Sequence, residues 1–116
     1  MEQKNGNNFP KRGELFWVDL EPTRDGETQK IRPALIVSND IGNQFSKIVM
    51  VAPITSKASC IYPTEVKTVI DGRDTKIMLH QCRAVDKSRL LKKIGTVDIE
   101  VLLESEKAIK VVFGLS

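Results

Sequence analysis

Three places in this 116-residue chain combine side chains that could do chemistry with a backbone that could hold them still. Arg32 precedes Pro33, whose ring fixes the backbone where a polar loop enters an apolar run. A guanidinium held there is a permanent positive charge with a fixed fork of donors, suited to an anion. Thr55 and Ser56 follow Pro53 and Ile54 at the end of a second apolar run, offering two hydroxyls where the backbone leaves a sheet. His80, the one histidine, lies among Met78, Leu79 and Cys82. Each has a plain structural alternative: an arginine facing solvent, a strand-ending turn, and a histidine satisfied in a core or at a sheet edge.

Composition closes off other chemistries. One histidine rules out a mechanism that needs a histidine pair as base and acid. With it, Cys60 and Cys82 cannot furnish four N and S ligands for a structural zinc, and both are expected as free thiols. There is no glycine-rich phosphate loop and no metal-ligand spacing; Asp19, Asp40 and Asp86 are scattered, so no metal and no cofactor are expected. Cys82 as a nucleophile would have His80 as its only partner, with no group to orient it. The formal net charge is +3, and its distribution is uneven. Residues 33–93 hold ten basic against five acidic side chains, so the middle of the chain is where an anion is attracted, unless those lysines merely solvate a face.

The elements that must position these groups follow from periodicity. Residues 1–10 read as a flexible polar tail and 11–116 as one domain. The first eight residues hold no apolar segment of the kind that directs secretion, and the longest apolar runs are too short to span a bilayer, so the expectation is a cytoplasmic protein with no membrane contact. Strands are predicted over Glu14 to Leu20, Ala34 to Val37, Lys47 to Ile54, Thr64 to Ile70 and Lys76 to Cys82, with a turn-rich break at Ser38 to Asn43 and a turn at Asp71-Gly72. The ten polar residues from Glu21 to Lys30 form a long connection. After Asp86 the period changes to about 3.6. A short helix capped by Asp86 or Ser88 runs through Leu90, Leu91 and Lys93 to Gly95, and a longer one, capped by Thr96, puts Val97, Val101, Leu102, Ala108, Ile109, Val112 and Phe113 on one side. Short strands followed by helices fit a mainly β fold, a small antiparallel barrel with a helix laid against it.

Taken together, the segments Arg12 to Leu20, Glu27 to Lys30, Arg32 to Asp40, Pro53 to Ser56, Pro63 to Val66 and Gln81 to Lys87 resemble, in order and spacing, the MazF/PemK family of toxins from type II toxin-antitoxin systems. The resemblance implies an SH3-like barrel of five to seven antiparallel strands with a C-terminal α-helix, assembled as a homodimer. It also implies a metal-independent endoribonuclease of the mRNA interferase type that cuts single-stranded RNA at a short sequence, and a small acidic antitoxin as partner. The other function considered is a non-catalytic binding protein or gyrase-directed toxin on the same barrel.

In such a reaction the RNA 2′-hydroxyl attacks the adjacent phosphorus and the 5′-oxygen leaves, through a state with extra negative charge on the phosphoryl oxygens. Fixed donors aimed at that charge lower the barrier. By the resemblance Arg32 is the catalytic arginine and Thr55 the catalytic threonine, helped by Ser56. At His80 some members carry Asp or Glu with an arginine two residues earlier, where Met78 stands here. Either His80 is the base, or the reaction relies on Arg32 and Thr55; the reading leans to the second. RNA contacts are expected from Glu27, Lys30, Lys57, Gln81 and Arg83, with Phe45 and Tyr62 as stacking surfaces and Trp17 in the core or a dimer interface. Gly26 stands one place nearer Arg32 than the family's usual loop glycine, which bears on RNA specificity.

Overall fold

The computed structural model describes residues 8–20 and 31–116. Most of the expected tail and the Glu21 to Lys30 connection lie outside the described residues. Seven strands are present: β1 (Glu14–Asp19), β2 (Ile31–Ile36), β3 (Ile48–Thr55), β4 (Glu65–Ile70), β5 (Arg73–Met78), β6 (Arg83–Asp86) and β7 (Leu90–Thr96), with a short helix α1 (Asp40–Phe45) and a long one, α2 (Ile99–Phe113). All pairings are antiparallel, in the order β4-β5-β3-β2-β1-β7 with β6 also on β3. The curled sheet and terminal helix match the mainly β barrel expected.

Alternation on the strands builds two cores, one on each face of the sheet. Val18, Ala34, Ile36, Val49, Val51 and Val85 fill one side, with Phe16 and Leu90 packed against them. Leu15, Leu35, Ala52, Ile54, Val66, Ile77 and Leu79 fill the other, under α2. The helix buries Ser105 and Ala108, and half-buries Val101, Leu102, Ile109 and Val112. It ends at Gly114, whose φ of 67° is the left-handed conformation that lets the amide of Leu115 reach the carbonyl of Lys110 at 2.8 Å. The hairpin from β4 to β5 turns on Asp71 and Gly72, both at positive φ, the geometry a two-residue turn requires.

Five local expectations are corrected. Leu90 to Lys93 is strand β7, because its backbone pairs with β1 from Val18↔Leu90 to Glu14↔Thr96; a four-residue apolar pattern cannot separate helix from strand, and the pairing decides. The cap of α2 is Asp98, and Val97 instead donates its amide to Gly13. Phe113 is exposed. The break after Val37 contains α1, whose N-cap Asn39 accepts from the amide of Gly42 at 2.8 Å. His80 is in a 3-10 turn, Leu79–Gln81, since β5 ends at Met78 and Cys82 donates back to Leu79.

Leu35 has no exposed surface and sits between β1 and β3. Leu35→Ala is expected to lower unfolding stability by about 2–5 kcal/mol, read as a lower urea midpoint at unchanged slope.

Candidate active site and anion pocket

β3 pairs with β2 only as far as Ala34↔Pro53, then with β5 from Ile54↔Ile77. The two strands part where Pro33 and Pro53 lack an amide to donate. A pocket of about 720 Å³ opens there, lined by Trp17, Arg32, Pro33, Ile54, Thr55, Ser56, Lys57, Ile70, Asp71, Arg73, Thr75, Met78 and Gln81. Carrying the β2–β3 register two residues past its last pair sets Arg32 across from Thr55 on the same face. The arginine and the threonine are thus brought to opposite sides of one opening.

The hydroxyl is oriented locally. Thr55 Oγ1 accepts the backbone amide of Lys57 at 3.2 Å, which leaves its own proton free to donate into the pocket. Arg32, Lys57 and Arg73 contribute three cations, and among the described residues no ion pair reaches any of them. Asp71 is the one carboxylate in the lining. A concave site with unneutralised cations beside two hydroxyls is built for an anion, and a flat indole at its wall adds a stacking surface.

Arg32, Thr55, Ser56, Lys57 and Gln81 are therefore gathered in one pocket. His80 is not part of the lining: its ring is exposed, with Nδ1 3.2 Å from Thr64 Oγ1. Arg83 lies on β6 and donates to the carbonyl of Leu20 at 3.4 Å, away from the lining. Glu27 and Lys30 are outside the described residues. Phe45 and Tyr62 are exposed but do not line the pocket; Trp17, assigned to core or interface, does. Arg73 was missed; its signal was the Asp71-Gly72 turn, which returns the next residue to the sheet beside β3. Burial pushes the Cys82 thiol up, against a smaller opposite effect of its backbone hydrogen bond, which disfavours a thiolate nucleophile. Among the described residues no cluster of His, Cys, Asp and Glu is arranged to hold a metal ion.

Beside the pocket lies a buried ion pair. Lys76, paired in register with Thr55, places Nζ 2.8 Å from Glu65 Oε1 and donates to the carbonyl of Cys60 at 2.8 Å. Burial alone would raise the Glu65 carboxyl; hydrogen bonds from Lys76 and the Tyr62 amide, with the charges of Lys76 and His80, outweigh it and hold the group below its usual range.

A barrel-like antiparallel sheet with a cationic, hydroxyl-lined pocket defines a small β protein whose pocket has the charge to attract an anion. The particular lineage is given by comparison: residues 11–113 match the PemK-like, MazF-like toxin family of type II toxin-antitoxin systems, and the chain belongs to that family. It is 38% identical over 112 residues to the endoribonuclease EndoA of Bacillus subtilis, covering 90% of this chain and 95% of that one. It is 36% identical over 111 residues to the endoribonuclease MazF of Staphylococcus saprophyticus, covering 90% and 92%. Among solved structures, MazF from Deinococcus radiodurans superimposes with a TM-score of 0.77 at 28% identity over 92% of this chain and 98% of its own. A MazE-MazF structure from the same organism gives 0.78 at 28% identity, over 92% and 97%.

The lowered Glu65 carboxyl sets a pH dependence. Its contribution to stability is complete above the unfolded-chain value, about 4.3, and is lost as pH falls through the lower folded value. Acid titration of unfolding stability should therefore show a shallower loss below about pH 4 for Glu65→Gln than for the unsubstituted protein.

Proposed function

We propose that this toxin is a sequence-specific endoribonuclease that cuts single-stranded RNA in the pocket between Arg32 and Thr55. The observation that carries the reading is the set of three cations that, among the described residues, have no ion-pair partner, beside the Thr55 and Ser56 hydroxyls. The naming of EndoA and MazF as endoribonucleases, at 38% and 36% identity across nearly the whole chain, supports the same reaction class.

The chemistry follows from charge. The RNA 2′-hydroxyl attacks the neighbouring phosphorus and gives its proton to water, the bond to the 5′-oxygen breaks and that oxygen takes a proton from water, and the product strands carry a cyclic phosphate and a 5′-hydroxyl. The residues required of the protein are donors that meet the growing charge on the phosphoryl oxygens, and no metal enters the scheme. Arg32 supplies a guanidinium that stays protonated, so it acts by charge and hydrogen bonds. Thr55 donates its free proton and Ser56 a second one. Lys57 and Arg73 hold the flanking phosphates, Trp17 stacks a base, and Gln81 offers an amide to a base edge. His80 stands outside this arrangement. In the same proposal the toxin is a cytoplasmic homodimer, and an acidic segment of a MazE-like antitoxin competes with RNA for the pocket. The MazE-MazF structure from Deinococcus supports such a partner.

The test is incubation of a long RNA with purified protein in EDTA, with new 5′-hydroxyl ends mapped. Arg32→Ala and Thr55→Ala should each lower kcat by about 10²–10³-fold. Trp17→Ala should raise KM by about 5- to 150-fold, the equivalent of roughly 1–3 kcal/mol of lost stacking. Cleavage by His80→Ala should equal that of the parent protein and stay flat between about pH 5.5 and 7.5. Binding without cleavage across varied RNAs, or full activity in Arg32→Ala, overturns the assignment in favour of a non-catalytic binding role.

A further inference from the structure

We infer that the buried Lys76–Glu65 pair positions the segment between β3 and β4, residues 56–64, and through it holds Ser56 and Lys57 against the substrate. The inference rests on the pocket described above as the place where RNA is cut.

Residues 56–64 contain no helix or strand, and a run of that length keeps one conformation only if its backbone groups are tied down. Two of the ties converge on one side chain pair. The carbonyl of Cys60 accepts from Lys76 Nζ at 2.8 Å, and the amide of Tyr62 donates to Glu65 Oε1 at 3.0 Å. The same carboxylate oxygen accepts from Lys76 Nζ at 2.8 Å, so one ion pair grips the loop at two points, one of each polarity. The Lys76 ammonium also stands 5.4 Å from the Tyr62 ring centroid. The side chains are 11% and 5% exposed, which keeps water from competing for either tie.

The geometry connects this grip to the pocket. Lys76 is the register partner of Thr55, so its stem starts beside the threonine and its head ends beneath the loop that the threonine begins. On the outer side, Ser56 and Lys57 line the pocket that holds Arg32. The same two residues, with Ala58, Ser59 and Asp74, also line an adjoining groove of about 520 Å³. The loop is therefore the ridge between two concavities, and a strand leaving the pocket must cross it. An ion pair buried for stability alone gains little over apolar residues of the same volume, whereas one that fixes a loop acts on whatever the loop touches. Lys76 and Glu65 touch no substrate; they are positioning residues.

The experiment compares Lys76→Met/Glu65→Gln, which removes the charges but keeps an acceptor for the Tyr62 amide, with Lys76→Arg, which keeps charge and donors. In the double variant the amides of residues 57–62 should exchange with solvent faster while those of β1 to β3 do not change. Its kcat/KM should fall by about 10²-fold, mostly through KM, because Arg32 and Thr55 remain held by their strands. Lys76→Arg should recover most of that loss. Unchanged exchange in the loop with unchanged KM overturns the inference, as does a fall in kcat accompanied by faster exchange throughout the sheet, which marks simple destabilisation. Should the double variant fail to fold, Glu65→Gln alone decides: faster exchange at residues 57–62 with a raised KM supports the tie, and parent exchange with parent KM overturns it. Arg32→Ala is run alongside: full cleavage there is a failure of the pocket reading, while its loss beside unaltered loop behaviour is a failure of the positioning inference alone.

Discussion

β3 shares its eight residues among three neighbours, and the exchange of partners midway along it governs where function can sit. From Val51 to Pro53 it lies against β2; from Ile54 onward it lies against β5. β2 meanwhile stays with β1 as far as Asp19↔Ile31. Two strands that part must leave backbone and side chains unpaired between them, and the cost is lowest where prolines have already removed the donors. Pro33 and Pro53 stand at that fork. Because strand register is continuous, the residues facing one another beyond the last pair are not a free choice: Arg32 falls opposite Thr55, and the hydroxyl arrives directly after four buried residues, Val51 to Ile54.

Charge is sorted by the same architecture. Outside the pocket lining, five basic side chains find carboxylates: Arg12 with Glu106, Arg89 with Asp19, Lys93 with Glu14, Lys107 with Glu104, and the buried Lys76 with Glu65. At the fork Arg32, Lys57 and Arg73 meet no ion-pair partner among the described residues. A net charge of +3 is therefore a poor guide to the field that an incoming anion feels. Five of the acidic residues that reduce the total are paired with cations outside the lining, and within it three cations face one carboxylate, Asp71.

Legibility in the sequence followed the same division. β1 to β4 were readable because alternation and turn residues are local, and the Val66, Thr68 and Ile70 face came out buried; β5 was set three residues late, because Arg73 and Asp74 read as part of the turn. β6 has four residues and no pattern of its own; it exists because Val49 and Val51 need a neighbour. β7 was misread because Leu90, Leu91 and Lys93, followed by Gly95, fit a short helix until β1 is there to pair with them. In the site, Arg32, Thr55 and Ser56 could be singled out since each borders a proline-marked strand end. Trp17 and Arg73 could not, because what brings them to the pocket is the order of strands in the sheet, which no local pattern encodes.

Under the proposed reading the lining also separates two tasks that any enzyme acting on a chosen RNA sequence must combine. Phosphate contacts supply affinity but carry no sequence information, and every cation in the pocket is of that kind. Sequence must be read by groups that both stack on and hydrogen-bond to splayed bases. Trp17 offers the face, while Gln81 offers a donor and an acceptor and Asp71 an acceptor alone. A lone carboxylate in a cationic pocket disfavours a phosphate at its own position, and that repulsion is useful: it reserves the position for a base edge with an amino group. The fork thus needs its one acid as much as its three bases, since with cations alone it would bind any RNA in any register.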